Sequence, residues 1–166
     1  MDGLVTWFME VLEGLSGQWV ALIISMVPLL ELRGGLLAAS LLNVDILQAV
    51  PLCVFGNVLP IPFILWFITP IFTALKKTKL FRPLVEKLEN KAMNKSSKIE
   101  KGYFWGLALF VGIPLPGTGA WTGALIASML NIPFKKAFPA ILLGILIATV
   151  IMSLVSYGLL GAILGH

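Results

Sequence analysis

Three stretches of this 166-residue chain, 46–75, 102–134 and 137–165, contain no Asp, Glu, Lys or Arg. Each is longer than the roughly 20 apolar residues that cross a bilayer core. Only 12% of the residues are charged and 58% are hydrophobic, against about 25% charged in soluble domains. A soluble globular domain is excluded, and an all-α integral membrane protein is expected, with residues 1–166 forming a single multi-pass membrane domain. The one cysteine, Cys53, lies in an apolar run, so neither a disulfide framework nor a cysteine metal cluster is expected. The one histidine is His166, which leaves little material for histidine catalysis or a histidine metal site. The expectation is therefore no enzyme, no catalytic residue, no metal and no cofactor.

The first residues are acidic, with Asp2, Glu10 and Glu13 and no basic n-region, which argues against a secretory signal. Leu4, Val5, Phe8, Val11, Leu12 and Leu15 recur at helical spacing, so 1–16 is expected to be an interfacial amphipathic helix. Between 76 and 101 nine basic residues face three acidic ones, which places this loop on the cytoplasmic side. Leu80, Phe81, Leu84, Val85, Leu88 and Ala92 give it a basic amphipathic helix suited to anionic headgroups. The basic block lacks interleaved stacking aromatics, so membrane lipids rather than nucleic acid are the expected partners.

Sliding the chain against itself by 88 residues aligns 28–56 with 116–144 without a gap, and ten of twenty-nine positions are identical, among them Gly35/Gly123, Ser40/Ser128, Asn43/Asn131 and Gly56/Gly144. Each copy reads as two short apolar pieces around a Pro/Gly break, followed by a long segment: repeat one is 19–75 and repeat two 103–160. A dozen helical residues reach about 18 Å, roughly half of the ~30 Å core. Each broken pair is therefore expected to be a re-entrant helical hairpin, followed by a transmembrane helix. Such a hairpin returns to its side of entry and the next helix crosses, so the two copies form an inverted repeat. Asp45 after hairpin one and Lys135 and Lys136 after hairpin two agree with opposite sides. Small residues at Gly35, Ala39 and Asn43, and again at Gly123, Ala127 and Asn131, let helices pack closely.

The first break, Pro28–Gly35, holds Glu31 and Arg33 in an otherwise uncharged segment. Ionisable groups at that depth need a partner, a wet cavity or a role. The second break, Pro114–Gly123, is uncharged but offers Thr118, Gly119, Trp121 and Thr122. A helix starting near Thr118 would present free amides to an anion. Arg33, with Gly34 and Gly35 beside it, would add a bidentate fork for phosphate or carboxylate, and a desolvated Glu31 could carry the coupling proton. The alternative is that Glu31 and Arg33 only pair with each other and lock their hairpin. In the long segment of repeat one, Pro60 and Pro62 are expected to kink or break the helix, whereas that of repeat two, without proline from Ala140 to Leu160, is expected to be the straighter one. Asn57, in the segment of repeat one, either lines the substrate cavity or bonds a neighbouring helix.

The phrases Pro28-Leu29-Leu30-Glu31-Leu32-Arg33-Gly34-Gly35 and Pro114-Leu115-Pro116-Gly117-Thr118-Gly119-Ala120-Trp121-Thr122-Gly123-Ala124 resemble the putative small multidrug export protein family of prokaryotic membrane proteins. More distantly, two re-entrant hairpins with an acidic residue near the first tip are similar to the DedA (VTT-domain) superfamily. That resemblance implies lipid movement, including recycling of a polyprenyl-phosphate carrier, driven by the proton motive force. It matches Glu31 to the superfamily's acidic residue. Its arginine belongs in the second hairpin, where this chain has Trp121, so Arg33 must serve from the first.

The function expected from these readings is a secondary transporter or flippase of the prokaryotic cytoplasmic membrane. It would be coupled to H⁺ or Na⁺ and move an amphipathic anion such as a polyprenyl (undecaprenyl) phosphate or phospholipid. The substrate-binding residues would be Arg33, Gly34, Gly35, Thr118, Gly119, Trp121, Thr122 and Asn57, with Glu31 coupling the proton. Two alternatives stand beside it: an exporter of small lipophilic cations, and a non-transporting assembly or scramblase-like module. The long apolar faces also suit a homodimer.

Overall fold

The computed structural model describes residues 2–76, 83, 102–115 and 117–159. The basic amphipathic segment expected within 76–101 lies outside the described residues beyond Lys76 and Pro83, as do Pro116 and His166. The described residues form helices and connecting turns without strands: α1 (Asp2–Val11), α2 (Gly17–Met26), α3 (Glu31–Leu41), α4 (Ile46–Val58), α5 (Pro60–Lys76), α6 (Tyr103–Gly112), α7 (Ala120–Met129) and α8 (Phe134–Ser153), with a π-helical turn at Leu154–Leu159. Among the described residues two stretches are long and apolar enough to cross a membrane, Ile46–Ile68 through α4 into α5, and Phe134–Gly158.

α2 and α3 form hairpin one, α6 and α7 hairpin two. The 88-residue repeat is written into their backbones. At the end of α3 the Val44 amide bonds the Ala39 carbonyl at 2.9 Å and the Asn43 amide the Ser40 carbonyl at 3.1 Å; at the end of α7 Ile132 bonds Ala127 and Asn131 bonds Ser128 at the same distances. Asn43 and Asn131 both sit at φ 53°, the left-handed cap that asparagine tolerates and most residues avoid. The long helices repeat a contact too. A Cβ at Gly56 would stand 2.7 Å from the Leu22 carbonyl of α2, and one at Gly144 2.7 Å from the Ala108 carbonyl of α6. Only the missing side chain lets these backbones approach.

The two hairpin bases lie at opposite ends of α8. Its start touches the base of hairpin two, where Lys136 sits over the Tyr103 ring. Its π-helical end meets the base of hairpin one, where Ser40 donates to the Ser156 carbonyl at 2.6 Å and the Tyr157 hydroxyl to the Val44 carbonyl at 2.9 Å. The α4–α5 pair runs the other way, from Asp45, whose side chain caps α4 through the Leu47 amide, to Trp66, whose ring lies 5.6 Å from that of Phe134. Both long elements thus run from base to base.

Three differences from the sequence reading have simple causes. The first break is shorter than Pro28–Gly35, because α3 already begins at Glu31 and so carries Arg33, Gly34 and Gly35 in regular helix. At Pro60–Pro62 the helix is interrupted only at Leu59, which keeps right-handed helical dihedrals; the prolines remove amide donors without turning the chain aside. The long segment of repeat two, expected to be the straighter one, gives way at Leu154 to the π-helical turn. α1 docks on hairpin one through Val5, packed with Val20, Ile24, Leu30 and Ala38, and leaves Trp7 and Val11 exposed.

Candidate functional site: the interlocked hairpin tips

The tips meet midway between the two bases, and both charges of hairpin one are spent on hairpin two. Glu31 is buried, with its carboxylate oxygens accepting from the Ala120 amide at 3.0 Å and the Trp121 amide at 2.9 Å. These are first-turn amides of α7, which lack partners within their helix. The N-cap, Gly119, has no side chain to satisfy them. A carboxylate there meets the positive end of the helix dipole.

Arg33 does the converse at the other limb. Its guanidinium donates to the Leu115 carbonyl at 2.7 Å, to those of Ile113 at 3.2 Å and Val111 at 3.3 Å, and to the Thr118 hydroxyl at 3.0 Å. These carbonyls lie at and just beyond the end of α6, the negative end of its dipole. Pro114 and Pro116 supply no amide donors there, so the segment has surplus acceptors that a five-donor fork can satisfy. Thr118 closes the knot, its hydroxyl 2.8 Å from both the Ile113 and Leu115 carbonyls.

The tip backbone is bent to allow this. Leu29 has φ 76° and Glu31 φ 50°, conformations that cost a non-glycine residue about 1–2 kcal/mol. Gly119 lies at φ 139°, and a Cβ on it would run into the Glu31 carboxylate. Glu31 and Gly119 are equivalent positions of the repeat, so the two copies touch at their own matching residue.

Of the sequence-predicted site residues, the structure brings Glu31, Arg33, Thr118, Gly119 and Trp121 together. Gly34 and Gly35 are packing positions within hairpin one: a Cβ on Gly34 would press on Leu30 and Ile24, and one on Gly35 on Ser25 and Ala21 of α2. Thr122 and Asn57 make no hydrogen bond to the cluster. The Asn57 side-chain oxygen and the Trp121 indole nitrogen are buried without partners. Glu31 and Arg33 bond to hairpin two instead of to each other, so the expected alternative of a pair locking its own hairpin does not describe the geometry. The sequence reading missed the carbonyls of Val111, Ile113 and Leu115; the Pro-x-Pro spacing at 114–116, poor in donors, was the signal for them. Among the described residues no group of three or more His, Cys, Asp or Glu could hold a metal ion.

A family model described as "Putative small multi-drug export protein" matches residues 31–151. The chain belongs to that family. The match opens at Glu31 and so takes in the whole tip cluster, both hairpins from α3 onward and most of α8. No curated protein and no solved structure matches the chain. Family membership together with the two apolar spans makes this a membrane protein.

Proposed function

We propose that this protein is a proton-coupled secondary transporter or flippase in which the hairpin tips form the substrate site, and that its substrate is an amphipathic anion such as a polyprenyl phosphate or phospholipid. The observation that carries this reading is that a helix N-terminus beside a buried arginine is occupied by the protein's own carboxylate. Protonation of Glu31 removes the charge that the amides of Ala120 and Trp121 hold and that offsets Arg33. The amides are then open to an incoming phosphate, beside a guanidinium whose charge is no longer offset while its donors stay on the Val111, Ile113, Leu115 and Thr118 oxygens. When the anion leaves, Glu31 gives up its proton and docks again. The coupling ion in this scheme is H⁺, because a sodium ion would have to sit on a carboxylate already turned to two N–H groups with a guanidinium nearby.

The same reading makes the hairpins re-entrant and the repeat inverted. Limbs of 10 or 11 residues reach about 15 Å, half of the core, and bases at opposite ends of α8 carry the tips to the midplane, where substrates of inverted-repeat transporters bind. It is also the plan of the DedA superfamily, and the basic loop 76–101 sets the orientation, with that loop in the cytoplasm of a prokaryotic cell.

The family description supports a second reading, export of small lipophilic drugs, in which a cation displaces the amides from Glu31. Transport in proteoliposomes under an imposed pH gradient separates the two, with a polyprenyl phosphate and a lipophilic cation as substrates for wild type, Glu31→Gln and Arg33→Lys. The proposal expects gradient-driven phosphate movement that both variants lose. Cation movement that needs Glu31 and survives Arg33→Lys establishes the second reading, and no gradient-dependent movement of either substrate removes both.

A further inference from the structure

A cavity of about 330 Å³ lies along hairpin two, with Tyr103, Gly106 and Phe110 of α6 on one side and Ile126, Leu130 and Ile132 on the other. A Cβ at Gly106 would meet nothing within 4 Å, so a larger side chain at this lining position has room to occupy the groove. The matching face of hairpin one is covered. Matching the first limbs at 86 residues and the second limbs at 88, Gly106, Phe110 and Ile126 correspond to Val20, Ile24 and Ala38, and these lie under α1 with Val5, Phe8, Met9 and Leu12.

The mouth of the groove is basic. Lys136 holds its ammonium 5.6 Å from the centroid of the Tyr103 ring, Lys135 beside it is exposed, and no acidic residue shares that first turn of α8. Cations in the first turn stand at the positive end of the helix dipole, which adds to their field instead of offsetting it. In repeat one the matching positions are Leu47 and Gln48, behind the acidic cap Asp45. An apolar channel walled by Tyr103, with the Lys136 ammonium over that ring and exposed Lys135 next to it in the chain, matches an amphipathic anion in both parts.

We propose that this groove binds one acyl chain of an anionic phospholipid whose phosphate rests on Lys135 and Lys136. The volume is at the low end of the roughly 300–1,000 Å³ of small-molecule sites and too small to seat a helix about 10–12 Å across. This site is separate from the tips and does not depend on the transport reading.

Native mass spectrometry of the protein exchanged into mixed micelles of phosphatidylglycerol and phosphatidylcholine tests it. The wild type retains phosphatidylglycerol in preference. Gly106→Leu, which fills the groove, loses the retained lipid, and Gly106→Ala weakens it less. Lys135→Ala and Lys136→Ala each lower the preference about fivefold, the factor for one basic residue at an anionic bilayer surface. A thermal melt shows that each variant is folded. Undiminished retention by folded Gly106→Leu, or equal retention of the two lipids by wild type, overturns the proposal. So does loss of the lipid in Arg33→Lys with Gly106→Leu unaffected, which would place it at the tips.

Discussion

Glu31 and Arg33 are two residues apart on one helix, a spacing at which side chains do not face each other, and each goes to a different limb of hairpin two. The carboxylate answers amides and the guanidinium answers carbonyls, so their roles are not interchangeable. A Glu31→Arg/Arg33→Glu double variant sets donors against donors at Ala120 and Trp121. It is expected to fold no better than either single variant and to transport nothing, whereas recovery in a thermal melt or a transport assay would show that the two only needed each other. At Gly119 the φ of 139° and the adjacent carboxylate act together. Gly119→Ala is expected to destabilise by at least the ~1–3 kcal/mol of a strained backbone conformation, read from denaturation in detergent. An unshifted transition would mean that the tips do not interlock as described. The ionisable residues themselves were legible in the sequence because they stand alone in an apolar run. Their partners were not, because backbone amides and carbonyls carry no residue type.

Helices of ten or eleven residues are marginal by themselves, and their ends are where this protein invests. Both α3 and α7 close on an exposed asparagine at φ 53°. Asn131→Gly is expected to be close to neutral, since glycine adopts that conformation freely. Asn131→Val forces a β-branched residue into it and should cost about 1–2 kcal/mol, and Asn43 should behave alike. Equal melting of the two Asn131 variants would contradict the cap. The offset of 88 made these matches readable from identity alone. The sequence overstated the first break, since Gly34 and Gly35, taken as tip residues, are packing positions in α3. A glycine that lets two helices touch and a glycine that loosens a loop look alike in a sequence. Likewise the π-helical turn after α8 answers contacts made by Ser156 and Tyr157 with hairpin one, which no local pattern announces.

At the scale of the molecule, two long elements run base to base and the tips meet between them. If the repeat is inverted, Asp45 and Lys135 lie on opposite sides of the membrane. With Cys53 replaced by Ala, Asp45→Cys and Lys135→Cys should then be labelled by an impermeant thiol reagent from opposite faces of sealed vesicles. Labelling of both from the same face would overturn the inverted arrangement and the midplane position of the tips with it.

The sequence by itself determined the membrane setting, the helical class, the repeat and the identity of the buried charges, because uncharged length, periodicity and lone ionisable residues are properties of the chain in order. Tertiary structure alone decided what the charges do. Glu31 and Ala120 are 89 residues apart, Arg33 and Leu115 82, and only the packing of two hairpins onto shared long helices brings a carboxylate to one helix start and a guanidinium to one helix end. Whether a helix terminus is an open anion site or one already filled by the protein is a question of proximity, and proximity is what the fold supplies.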